Sequence, residues 1–167
     1  SFSGYERQNE VILTVLPAFR DLLAESVSSK KKLLTSGIRT VTGDIGGLLQ
    51  NRLWQEMLFV IHGSGEPEAD PEMLAEWLEA SDLMRILENN HSGGGPWYFR
   101  IGIPGQKTGK NIGDFVKAAA LALESASGRK LVNSPSHYET EIRLIRKKEG
   151  GFLPLLKLRS EERRVGK

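Results

Sequence analysis

"RKLVNSPSHYETEIRLIRKK", residues 129–148, is the stretch on which the fold reading turns. Its second half alternates Tyr138, Thr140, Ile142 and Leu144 with polar or charged neighbours, the pattern of a strand with one buried face. Pro135 biases Ser134 toward extended geometry, so Asn133-Ser134-Pro135-Ser136 reads as the lead-in to that strand. Ile142 and Leu144 share a parity with Tyr138 and are expected on the inner face, which puts Arg143 on the other.

The neighbouring segments follow from the same rules. "GFLPLLKL" (151–158) is a second strand, and Glu149-Gly150-Gly151 supplies the turn of a hairpin. Upstream, "NIGDFVKAAALALESASG" (111–128) is the strongest helix, with Asn111 as cap, Asp114 three residues on, an Ala/Leu body and Gly128 past the end. "WYFRIGIPG" (97–105) is a strand behind the loop "NNHSGGGP" (89–96). "PEMLAEWLEASDLMRILEN" (71–89) carries apolar residues near helical spacing and is one helix, or two broken near Ser81. Trp77, Phe99, Phe115, Leu123, Ile142 and Leu144 are expected to share this core. The first part of the chain reads as a smaller set. It has strands at "EVILTVLP" (10–17), "GIRTVTGD" (37–44) and "QEMLFVIHG" (55–63). Helices are expected from Pro17 and after Asp44, and Lys30-Lys31-Lys32 is a charge run. "GSGEPEADP" (63–71) is a linker or loop. The class is α/β (α+β), in two units with a boundary near residues 62–70.

Composition removes several classes of function. A chain of 167 residues with 39% hydrophobic and 26% charged residues is ordinary globular material. Without cysteine it has neither disulfides nor thiolate metal sites. No apolar run approaches the roughly 18 residues of a membrane span, and there is no signal peptide, so a cytoplasmic protein without a membrane partner is expected. The first residue is Ser, which suggests a piece of a longer chain. The net charge of +2 conceals an asymmetry: residues 1–99 carry 8 Lys/Arg against 14 Asp/Glu, and residues 100–167 carry 15 against 7. A basic half of this kind suits a polyanion.

Catalytic motifs are scarce. His62, His91 and His137 lie in separate elements without partners at metal-ligand spacing. "GQKTGKN" (105–111) lies between strand and helix like a phosphate-cradling loop, but its glycines are one residue too close, and Asn111 stands where a magnesium-ligating hydroxyl belongs. What it retains is a glycine-spaced backbone, two lysines and a helix start, a combination that favours phosphate. "NSPS" is close to the Asn-Pro-Pro-Tyr loop with which amino-methyltransferases hold an amine, yet it lacks the second proline and the aromatic residue. No Gly-rich turn for adenosyl-methionine or a dinucleotide follows any strand. This chain is therefore expected to hold no catalytic set and no cofactor of its own.

The order of elements and three stretches carry a family resemblance. "VNSPSHYETEIRL" is similar to the "N-P-D-V-E-I-R-V" strand of THUMP domains, matching at Asn133, Pro135 (displaced by one residue), Glu141, Ile142 and Arg143. "WYFRIGIPGQKTGK" resembles their "F-x-V-x-x-x-R-x-G-x-H" strand and loop, with Lys110 in place of the usual His. "GIRTVTGD" and "LLQNRLWQEMLFVI" are similar to the ferredoxin-like domain that precedes THUMP domains. The resemblance implies a ferredoxin-like unit at residues 1–64, a THUMP-like domain at 65–159, and the start of a linker at 160–167. It further implies the RNA-binding portion of a tRNA or rRNA methyltransferase, whose S-adenosylmethionine site would lie in a catalytic domain beyond this chain. A thiouridine synthetase or deaminase as parent, a protein-interaction module, and a small enzyme with unnoticed chemistry are the alternatives. Phosphate contacts are expected from Arg100, Lys107, Lys110, Lys117, Arg129 and Lys130, in one patch or two.

Overall fold

The computed structural model describes residues 10–15, 30–33, 37–41, 54–90, 96–105 and 110–158. The chain divides into two compact units, residues 1–60 with 158–167, and residues 61–157.

In the first unit, β1 (Glu10–Val15), β2 (Lys30–Leu33), β3 (Gly37–Val41) and β4 (Trp54–Val60) lie in the order β2-β3-β1-β4. Each neighbouring pair is antiparallel, with Leu13 opposite Ile38 on one side and Met57 on the other. Leu58, Phe59 and Val60 are all buried, so successive positions on both faces of β4 are covered. Lys30, Lys31 and Lys32 look like a plain charge run in sequence, but they begin an edge strand. Lysine on an edge opposes pairing with another chain, and three together leave no apolar alternation to mark the strand. The helices expected after Pro17 and Asp44 lie outside the described residues.

The second unit is built around β5 (Trp97–Gly102). β6 (Leu131–Asn133) and β7 (Thr140–Arg146) flank β5, both parallel to it, and β8 (Phe152–Leu158) lies beyond β7, giving a mixed sheet in the order β8-β7-β5-β6. The α/β class read from the sequence holds. β7 and β8 are consecutive, and the expected glycine turn joins them: Gly150 (φ 98°) and Gly151 (φ 83°) both take the left-handed region open to glycine. Lys147 N–H donates to the Gly151 carbonyl at 3.1 Å. β6 is three residues long, too short to show a period, and "LVN" is accordingly not separable in sequence from the loop that follows.

Among the described residues this unit has three helices, of which the third packs on β5 and β6 and the first packs on the third. α1 (Pro71–Ala80) starts as its residues dictate, with Pro71 in the first turn and the Asp70 carboxylate accepting from Met73 N–H at 3.1 Å. It stops at Ser81, whose N–H and hydroxyl both turn back to the Leu78 carbonyl, and α2 (Leu83–Asn90) begins beyond. Of the two sequence readings of 71–89, the broken helix is the one that forms. Asp82 pins the break: its N–H donates to the His62 carbonyl and its carboxylate accepts from His62 N–H, both at 2.9 Å.

α3 (Lys110–Ala126) connects β5 to β6. It begins at Lys110, so Asn111 sits inside the first turn and is not the cap that the sequence suggested. Its end is as expected and more complete. Gly128 N–H bonds the Ser125 carbonyl and Arg129 N–H the Glu124 carbonyl, a paired closure that needs a left-handed residue at Gly128 (φ 63°).

The core lies where the alternation put it. Phe99, Leu123, Ile142 and Leu144 are fully buried, each worth roughly 1.5–3 kcal/mol of apolar transfer. Ile142 in and Arg143 half-exposed is the expected register, but Tyr138, expected on the same inner face, precedes β7 and is half-buried with its ring against Arg100, on the other face. Trp77 and Phe115 are only half-buried. The Trp77 indole N–H reaches outward to the Ser64 and Gly65 carbonyls, and Phe115 packs on Phe152 with ring centroids 6.0 Å apart.

Candidate nucleic-acid interface

β5 is a switch point. From it the chain crosses through α3 to β6 on one side, then returns to β7 on the other. In open parallel sheets the carboxyl ends of the strands on either side of such a point enclose a crevice. Here a cleft of about 710 Å³ opens at the carboxyl ends of β5 and β6, beside the first half of β7 and the first half of α3. Its apolar lining includes Ile103, Pro104, Val116 and Pro135, and its polar lining includes Arg100, Lys117, Asn133 and Arg143.

The parallel register of β5 and β7 sets the electrostatics. Arg100 is paired with Glu141 and Gly102 with Arg143, so these four positions share one face of the sheet. Glu141 is 4% exposed and receives an arginine on each carboxylate oxygen. Arg100 Nε and Nη2 lie 2.8 and 2.6 Å from Oε2, and Arg143 Nε and Nη2 lie 3.1 and 2.7 Å from Oε1. Burial would raise the Glu141 carboxyl, but the hydrogen bonds and charges of Arg143 and Arg100 outweigh it and hold the group below the usual carboxylate range. Two guanidiniums against one carboxylate leave this part of the cleft net positive. The Arg100 guanidinium also lies over the Tyr138 ring, 4.3 Å from its centroid.

The expected phosphate contacts divide. Arg100 and Lys117 line the cleft together, and Lys117 is exposed on the helix face above it. Arg129 and Lys130 follow the opposite end of α3, and Arg129 is ion-paired with Glu124 at 2.9 Å. Lys107 lies outside the described residues, and of Lys110 only the backbone, at the first position of α3, is described. Arg143, Glu141, Tyr138 and Asn133 are additions that charge counting does not pick out. Glu141 and Arg143 stood in the strand motif, but nothing local says that Arg100, 41 residues earlier, is their neighbour.

Chemically the cleft is a place to hold an anion against apolar surface. Its described lining contains no histidine, serine or threonine, and its one carboxylate is saturated by arginines, so it offers no nucleophile with a base. No helix among the described residues is long and apolar enough to cross a membrane.

No protein-family model matches this sequence, and no curated protein matches it. The fold, in contrast, is shared with solved structures. A 4-thiouridine synthetase in complex with RNA and ATP superposes with a TM-score of 0.55 at 9% identity, over 90% of this chain and 42% of that one. TrmN from Thermus thermophilus gives 0.52 at 17% identity, over 89% and 45%. A predicted N6-adenine-specific DNA methylase from Listeria monocytogenes gives 0.53 at 12% identity, over 94% and 41%. At such identities the likeness is one of fold. This chain spans less than half the length of each of these proteins.

Proposed function

We propose that this chain is the RNA-binding portion of an RNA-modifying enzyme, a ferredoxin-like unit at residues 1–64 followed by a THUMP-like domain at 65–159. In this reading the parent is a cytoplasmic S-adenosylmethionine-dependent methyltransferase acting on tRNA or rRNA. The cofactor and the chemistry belong to a catalytic domain that follows residues 160–167, and this portion delivers the RNA to it. The observation that carries the reading is the cleft at the β5 switch point, where Arg100, Lys117 and Arg143 surround apolar surface. The charge asymmetry supports it, since the cleft belongs to the basic part of the chain. So does the fold shared with a 4-thiouridine synthetase solved with RNA, and the fold shared with a predicted N6-adenine-specific DNA methylase supports the methyltransferase part of the reading. The thiouridine synthetase keeps a second parent open, with the same RNA-binding role for this portion.

RNA contacts in this reading come mainly from Arg100 and Lys117 in the cleft and from Lys107 and Lys110 in the sequence around the start of α3, with Arg129 and Lys130 beyond its far end contributing less. Fluorescence anisotropy with a labelled tRNA transcript tests it. Binding should weaken steeply with salt, each neutralised phosphate adding roughly 0.7–0.9 to the log–log slope. An affinity that ignores salt, or no binding at low salt, would refute the reading.

A further inference from the structure

We infer that Glu141 is a positioning residue for RNA binding: its buried carboxylate fixes the Arg100 guanidinium at the cleft wall in the orientation that meets a phosphate. The inference rests on the RNA-binding reading above and asks what makes the cleft's cations effective.

Arg100 is held from three sides. Two of its nitrogens converge on one Glu141 oxygen, the Tyr138 ring lies against its plane, and Arg143 occupies the other carboxylate oxygen so that the acceptor cannot turn. The side chain nonetheless keeps 42% of its surface exposed, so it is both fixed and accessible. An arginine held in this way gives up little rotamer freedom when an anion arrives, whereas an unrestrained one loses much of it. Gly102 belongs to the same device. A Cβ there would lie 3.2 Å from Glu141 Oε2, tighter than ordinary contact, so glycine leaves the carboxylate its place between the arginines.

A carboxylate inside a polyanion site is repulsive by simple Coulomb reasoning. Positioning and plain electrostatics therefore predict opposite signs for Glu141→Gln. The isosteric amide removes a negative charge from the cleft, which alone would tighten RNA binding. It also turns an N–H₂ group toward one of the two guanidiniums, which breaks the clamp.

The test measures anisotropy of a labelled tRNA transcript between about 50 and 200 mM salt for the wild type, Glu141→Gln, Arg100→Gln, the double variant and Gly102→Ala. Circular-dichroism melting serves as the folding control. Glu141→Gln is expected to weaken binding about fivefold despite its added positive charge, and to flatten the salt slope by about one contact, roughly 0.7–0.9. In the Arg100→Gln background it should add little. Gly102→Ala leaves every charge in place and should weaken binding in the same direction, and it decides the matter if Glu141→Gln does not fold. Arg100→Gln weakening binding while Glu141→Gln or Gly102→Ala binds as well as the wild type, or better, would overturn the positioning role and leave the RNA reading standing. Arg100→Gln without effect would remove the RNA reading of this cleft, and this inference with it.

Discussion

Replacing Arg100 and Lys117 together by glutamine should cost most of the affinity for structured RNA that the described cations provide, whereas replacing Arg129 and Lys130 should cost little. Both residues of the first pair line the cleft. The second pair lies beyond the other end of α3, whose stretch from Lys117 to Ala126 alone spans about 14 Å at 1.5 Å per residue. That exceeds the screening length of about 8 Å at physiological salt, so the two pairs are largely independent. Losing two phosphate contacts lowers the log–log salt slope by about 1.4–1.8. Near 0.15 M salt this amounts to roughly a 15- to 30-fold loss of affinity. Arg129 and Lys130 line no part of the cleft, and replacing them should lose no more than about threefold. Anisotropy titrations of both double variants over the same salt series give slope and affinity together, and melting curves confirm that each folds. Equal losses, or a larger loss at the far end of the helix, would refute the assignment of the cleft as the interface.

Other outcomes follow from the packing and the charges. Gly63→Ala should destabilise the chain by about 1–3 kcal/mol, because the new Cβ would sit 2.8 Å from Trp77 Cζ2 on a ring anchored to the Ser64 and Gly65 carbonyls; an unchanged urea midpoint would contradict this. Glu141 titrates below its ordinary range in the folded state, so its contribution is present above the unfolded carboxyl value of about 4.3 and is lost as pH falls through the lower folded value. Urea midpoints at neutral pH and near pH 3 should accordingly fall further for the wild type than for Glu141→Gln, and an equal fall would show that the carboxyl is not held ionised. Calorimetry of this chain with S-adenosylmethionine should register no binding, since no Gly-rich turn opening a helix is present in the sequence; micromolar affinity would overturn the placement of the cofactor site elsewhere.

Local chemistry alone determined much of this protein. The alternation of Thr140, Ile142 and Leu144 set the inner face of β7, though not for Tyr138 before it; Gly128 ended α3, Gly150 and Gly151 turned the hairpin, and Pro71 and Ser81 bounded α1. Each of these depends on a side chain, or the lack of one, acting on backbone within a few residues, and such effects are written in the sequence. The start of α3 was misjudged, since Asn111 reads as a cap but the helix already includes Lys110. The three-residue β6 and the lysine-rich β2 were hidden because one is too short for a period and the other has no apolar face to display. The cleft belongs wholly to tertiary structure. Arg100 meets Glu141 only because β5 and β7 pair in parallel with that register, and a strand's sequence records which of its faces is buried but not which partner lies beside it. The same crossing that sends α3 from β5 to β6 brings Lys117 to the cleft that Arg100 lines and takes Arg129 to the opposite end of the helix, so cations close in sequence come to lie apart.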